Sequence, residues 1–375
     1  MAGPRHLYIH VPFCRSRCVY CAFYSTTTIE PSRLDRFCDA LLTEARFVVG
    51  GGPWETVYLG GGTPSLLGVD RVTRLLCGLR ASTPFATDAE VTLEANPEGL
   101  GTRDADAFLD AGVTRLSLGV QSFHDDDLRL LGRPHDGATA RRAVAGALGA
   151  GLRVGLDLIY GLPGRSSAHW LAQLDAAADT GVEHLSAYEL SVEPGTPLAA
   201  AWPDGLGDRA ELFFRTHEHL ASLGFEGYEV SNFARTPAGR SRHNLATWAH
   251  RTYRGLGPGA HSFLEGRGGP TRRWNLPDLG AWLAALEENR TPMRGREVLS
   301  PEQRLLERVM LGVRTRAGVD LTACRRECGD ALTDGLLARI DDPVERGLLI
   351  LADNHLRPTL QGMALADRLA VELSS

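Results

Sequence analysis

The chain has 375 residues, more than one hydrophobic core usually organises, which predicts a large domain with a smaller companion. Its 43% hydrophobic content excludes a disordered chain, and a net charge of −6 without basic blocks leaves no footprint for nucleic acid or an anionic membrane surface. All forty basic side chains are arginine, so mechanisms built on a lysine Schiff base or a phosphate-gripping lysine are excluded.

The chain opens with MAGPRHLYIHVPFC, which has neither the apolar stretch nor the cleavage site of a signal peptide, and no later run is long and apolar enough for a membrane span. A cytoplasmic protein is expected. Seven cysteines in a long chain from a reducing compartment suggest metal binding rather than disulfides. Cys38 and Cys77 sit in apolar, helix-like surroundings and are expected in the core.

Short β-branched or aromatic runs, LYIHV, TVYLG, EVTLEA, RLSLGV, VGLDLIYG and HLSAYELS, alternate with amphipathic segments such as RLDRFCDALLTEARFVV and GATARRAVAGALGAG. Repeated strand and helix units imply a parallel sheet with crossover helices. The unusual residues follow successive strands: the cysteines after the first, Gly60 to Pro64 after the second, Glu94 to Pro97 after the third, Gln121 after the fourth, with Asp157 inside the fifth. Sites distributed over many strand ends favour a partial (β/α)6 TIM-like barrel over a doubly wound sheet with a single switch point.

Past Asp278 the pattern changes. Ser300-Pro301-Glu302-Gln303 is a capping box that starts a helix, and GLLILADNHLRPTL reads as two strands around an Asp353-Asn354 turn. Residues 1–285 are expected to form the barrel with its extension, and 286–375 a winged-helix-like α+β module with a structural role. Cys324 and Cys328 stand four apart on a helix, a spacing common by chance.

Cys14, Cys18 and Cys21 lie on one loop after a buried strand. Three thiolates can hold three irons of a four-iron cluster and leave the fourth open to a ligand. A zinc site completed by His10 is the competing reading, although the chain lacks the second cysteine knuckle that structural zinc sites use.

This CxxxCxxC loop, with Tyr20 before its last cysteine and a glycine run after the second strand, resembles the radical S-adenosylmethionine superfamily. YIHVPFC, GGGTPS, LEANP, LGVQSF, LGRPHD, DLIYGLP, YEVSNFA and GLGPGAHS further resemble the oxygen-independent coproporphyrinogen III oxidases and their HemW-type haem chaperone relatives. The resemblance implies a 4Fe-4S cluster on Cys14, Cys18 and Cys21 whose open iron chelates S-adenosylmethionine, the source of a deoxyadenosyl radical. It implies cofactor contacts from Tyr8, Tyr20, Gly61, Gly62, Thr63, Glu94, Gln121, Arg133 and Asp157, with Gly60 beside them.

Two features point from the oxidase toward the chaperone branch. Phe23 stands where the oxidases carry a further cysteine, and the first strand already begins at Leu7, without their N-terminal extension. RHNLATW resembles the chaperones' HNxxYW motif, with Thr247 in place of its tyrosine, and implies haem contacts from His243, Asn244 and Trp248. His10, His217, His219, His250 and His261 are competing imidazoles. The expected function is therefore haem binding and delivery to respiratory haemoproteins, at the membrane periphery during transfer. A radical oxidase acting on coproporphyrinogen III or another tetrapyrrole is the alternative. Homodimerisation is left open.

Overall fold

The computed structural model describes residues 3–48, 51–202, 209–266 and 268–374. Six strands and their crossovers follow in sequence: β1 (His6–Val11), α1 (Pro31–Arg46), β2 (Trp54–Gly61), α2 (Val69–Ser82), β3 (Phe85–Ala95), α3 (Thr102–Asp110), β4 (Arg115–Gln121), α4 (Asp125–Leu130), α5 (Gly137–Gly149), β5 (Arg153–Tyr160), α6 (Ser167–Ala178) and β6 (His184–Glu189). These strands pair parallel and in order, which makes the mixed α/β partial barrel expected from the alternating runs.

Each strand alternates. Leu7, Ile9 and Val11 of β1, Val57 and Leu59 of β2, and Val91, Leu93 and Ala95 of β3 are buried in the main apolar core. They meet helices whose apolar residues recur at three- and four-residue intervals, as Leu34, Phe37, Cys38, Leu41 and Ala45 do on α1. The intervening residues face the other way, and they include most of the polar chemistry.

After α7 (Pro197–Ala201) and α8 (Ala210–Ser222), the short β8 (Asn232–Ala234) pairs antiparallel with β6 and the short β7 (Glu226–Gly227) antiparallel with β8, closing one edge of the sheet. Then α9 (Arg242–Trp248) leads to β9 (Tyr253–Leu256), which pairs parallel with β1 on the other edge. β10 (His261–Gly266), β11 (Gly269–Asn275), α10 (Leu279–Glu287) and β12 (Met293–Val298) extend that edge to twelve strands among the described residues.

A second apolar cluster begins at Leu305. The elements here are α11 (Pro301–Gly312), β13 (Val319–Asp320), α12 (Leu321–Cys328), α13 (Asp330–Leu337), α14 (Asp341–Glu345), β14 (Leu349–Ala352), β15 (His355–Pro358), α15 (Leu360–Ala364) and α16 (Ala366–Ser374), and all but α14 and α15 give buried residues to the cluster. The capping box at Ser300 and Gln303 forms, and Asp353 and Asn354 take left-handed φ of 52° and 57° in the β14–β15 turn. The division expected at 285/286 cuts α10, and β12 pairs with β11 in the large sheet. We propose Ser300 as the start of the second unit.

Cys38 is buried as expected, but Cys77 is exposed, because α2 turns only Val72, Leu75, Leu76 and Leu79 to the core. Cys324 and Cys328 are both buried in the second core, and burial pushes the Cys324 thiol up to about 12.

Candidate active site at the upper end of the barrel

A cavity of about 810 Å³ opens at the C-terminal ends of the strands. Its rim is the cysteine loop, whose ends are pinned together: Cys14 N–H donates to Thr26 O (3.0 Å), Thr26 N–H to Pro12 O (2.7 Å), and the Arg17 guanidinium to Ser25 O (2.6 Å). Phe13, fully buried edge-on to Phe37, anchors the loop in the core.

The glycine run serves this loop directly. Gly62 and Thr63 donate their N–H groups to Val11 O (2.8 Å) and Phe13 O (2.7 Å), and a Cβ on Gly62 would lie 2.6 Å from Phe13 O. Gly61 takes a φ of 111°, and a Cβ there would lie 2.5 Å from the His10 ring. Only side-chain-free residues allow the two loops to lie so close. The Gly61 N–H donates to Glu94 Oε2 (2.9 Å), and Thr63 Oγ1 lies 3.9 Å from Cys14 Sγ.

One face of β2 to β6 supplies the wall. Tyr58, then Thr92, Glu94 and Asn96, then Ser117, Gly119 and Gln121, then Gly155, Asp157 and Ile159, then His184, Ser186 and Tyr188 all line the cavity at every second position. Glu94 accepts from the Tyr58 hydroxyl (2.8 Å), and Asp157 from the Ser117 hydroxyl (3.1 Å). Burial, with Asp157 nearby, raises the Glu94 carboxyl to about 7, and burial raises Asp157 to about 6. Arg133 donates to Asn96 Oδ1 (2.7 Å) and Gly119 O (2.7 Å) and lies 3.3 Å from Cys18 Sγ, while its buried Nε has no partner. Gln121 ends β4 with a φ of 66°, where the pairing with β5 shifts register, and this bulge aims its side chain into the cavity.

Cys14, Cys18, Cys21, Tyr20, Gly61, Gly62, Thr63, Glu94, Gln121, Arg133 and Asp157 therefore meet in one cavity. Tyr8 does not reach its wall. Its hydroxyl hydrogen-bonds His10 Nδ1 (3.1 Å), and its ring stacks behind Tyr58. Tyr58, Asn96 and Ser117 also line the cavity, and strand alternation reaches Asn96 from Glu94 and Ser117 from Gln121.

His243, Asn244 and Trp248 do not form one surface. The His243 ring is buried in the barrel floor, 4.9 Å from the Tyr58 ring, and its Nδ1 shares a hydrogen bond with Thr56 Oγ1 (2.8 Å). Burial lowers its imidazole to about 3, so the ring is neutral, and it lies among buried residues away from the cavity wall. Asn244 faces the upper cavity and Trp248 a second one beyond α9. Of the competing imidazoles, His219 pairs with Asp175, His250 with Glu307, and His261 stacks on Trp274. His217 is buried against Phe213 and Phe233, and His10 donates to Tyr24 O (3.4 Å).

The residues fit the groups implied by the resemblance. Among the described residues, the one trio of ligand atoms mutually within 4.8 Å is His124, Asp127 and His169, and Asp127 is already held by Arg165, Ser122 and His169. The cysteines are spread more widely than one zinc ion needs, as suits a multi-iron cluster. Beside them, two carboxylates whose charge burial disfavours suit a cationic ligand such as a sulfonium or ammonium group.

Comparison with known proteins agrees with this geometry. The radical SAM superfamily model matches residues 8–177, and the HemN C-terminal domain model matches 299–365. The chain is 41% identical to "Heme chaperone HemW" of Mycobacterium tuberculosis over 89% of this chain and 88% of that one. It is 41% identical to the protein of that name from Escherichia coli K12, covering 70% and 72%. It is 36% identical to "Radical S-adenosyl methionine domain-containing protein 1, mitochondrial" of Bos taurus, covering 98% and 87%. The solved coproporphyrinogen III oxidase HemN from Escherichia coli shares the fold, with a TM-score of 0.84 at 22% identity over 100% of this chain and 90% of that one.

Proposed function

The chain belongs to the HemW-type branch of the radical S-adenosylmethionine superfamily, and from that premise we propose that it binds haem and delivers it to respiratory haemoproteins while carrying a 4Fe-4S cluster and S-adenosylmethionine in the upper cavity. The observation that carries the cofactor part is the convergence of three loop cysteines with Arg133, Glu94 and Asp157 on one cavity. Cys14, Cys18 and Cys21 would hold the cluster, which supplies reducing electrons and an open iron when bound. The wall residues would orient the cationic cofactor: Glu94 and Asp157 by charge, Asn96 and Gln121 by hydrogen bonds. The haem part is supported by two relatives named as haem chaperones.

Haem titration of the purified protein, beside an anaerobic coproporphyrinogen III turnover assay, tests this reading. Saturable haem binding without turnover is expected. Conversion to protoporphyrinogen IX with no haem binding would replace the carrier with the oxidase.

A further inference from the structure

A second cavity, of about 660 Å³, lies between the barrel and the C-terminal module. Helix α9 separates the two cavities, with Ser241 and Asn244 facing the first and Leu245 and Trp248 facing the second. On a chain of net charge −6, six arginines line it against three carboxylates. Its acids are oversubscribed: Glu226 serves both Arg240 (2.8 Å) and Arg316 (3.0 Å), and Glu327 serves Arg304, Arg308 and Arg326. The exposed Arg251 has no side-chain partner among the described residues. A rim with this excess of guanidinium suits a ligand with more than one carboxylate, since each fork can take a carboxylate in two parallel hydrogen bonds.

Among these charges the cavity keeps one apolar side, made by Leu245, Trp248 and Val319. Trp248 is half-buried, and no other ring stacks on it among the described residues. From the opposite unit comes His355, at the start of β15 beside the Asp353–Asn354 turn. Its Nδ1 must carry the proton, because it donates to the Asp353 carbonyl (2.9 Å). Nε2 is then the lone-pair nitrogen, and among the described residues nothing hydrogen-bonds it. A ring oriented through Nδ1–H to a carbonyl with Nε2 free is prepared to ligate a metal. His250 lines the same cavity but is held by Glu307 at Nε2 (3.0 Å) and stacked on Phe263, with Nδ1 buried.

We propose that haem sits in this junction cavity, with His355 Nε2 on its iron, Trp248 against the macrocycle and the arginine rim on its propionates. This rests on the haem-carrier reading above and places the cargo apart from the cluster cavity, on the far side of α9.

The test uses the full-length protein, with haem, haem dimethyl ester and iron-free protoporphyrin titrated by absorption and Trp fluorescence. Wild type should bind haem with a histidine-ligated Soret band. His355→Ala should shift that band and weaken haem at least about tenfold while leaving iron-free protoporphyrin unaffected. Arg251→Glu with Arg326→Glu should weaken haem about tenfold and leave the ester, which has no free propionates, nearly unchanged. Unchanged cluster content and melting temperature in the variants confirm folding. Haem binding in wild type with an unmoved band in His355→Ala, or equal losses for haem and its ester, would overturn the site but not the carrier function. Absence of haem binding in wild type would overturn both.

Discussion

Both ends of the barrel bury polar chemistry and treat it in opposite ways. At the floor, Arg115 and Glu90 form a fully buried ion pair (3.1 Å), Arg115 also donates to Gly239 O and Arg240 O, and Glu90 accepts from the His243 N–H (3.1 Å). Every one of these groups has its partner within the protein. At the upper end, Glu94 and Asp157 are held high, Arg133 Nε and Thr92 Oγ1 have no partner, and three thiols share a loop. A polar group satisfied by its neighbours reads as architecture; one left unsatisfied beside an open cavity reads as a ligand site.

The largest effect is expected from breaking the floor. Arg115→Ala leaves Glu90 buried without a counter-charge and should cost about 3–5 kcal/mol of stability, measured by denaturant unfolding. A loss below about 1 kcal/mol would mean that water reaches the floor. Next, Cys18→Ala should abolish the four-iron cluster in iron and sulfide analysis with little loss of fold, since the cysteine loop belongs to the rim and not to the core.

The raised carboxylates give a pH prediction with a definite sign. Above the usual carboxylate range, folded Glu94 and Asp157 still hold protons that the unfolded chain has released. The stability of the cofactor-free protein should therefore fall as pH rises from about 4 through 6 to 7. Asp157→Asn should flatten part of this slope and raise stability at pH 8 by about 2 kcal/mol, read from unfolding curves at several pH values. A steeper slope in the variant would show that the carboxylate is paired in a way the geometry does not reveal. The smallest effect is expected for Tyr8→Phe. Its hydroxyl meets His10 rather than the cavity, so S-adenosylmethionine affinity by calorimetry should change less than about twofold.

The six parallel strands were legible because each is an apolar run bounded by helical periodicity, and the rim motifs were legible because cysteine and glycine clusters are rare. The strands β7 to β12 were not. β12, MRGREV, is an edge strand with no buried residue, and β7 spans two residues, so neither carries an apolar signature. Tyr8 and His243 show a different failure. Sequence does not say which side of Tyr58 a side chain occupies, and both rings lie against Tyr58 and outside the cavity lining. The alternations Thr92/Glu94/Asn96 and Ser117/Gly119/Gln121 carry the signal, since every second residue of a barrel strand faces the same interior; on β2 it fails, because two residues before Gly61 stands the core residue Leu59. His355 carries no local motif, and its interest depends on tertiary packing that sets its hairpin and α9 on one cavity.

The most direct test of the upper cavity is electron paramagnetic resonance of the reduced, anaerobically reconstituted protein with and without S-adenosylmethionine. The signal of a four-iron cluster should appear and change on addition of the cofactor in wild type, with a weaker response in Asp157→Ala at equal iron content. A signal identical with and without the cofactor would contradict the account, because the cysteine loop and the raised carboxylates would then not converge on one ligand.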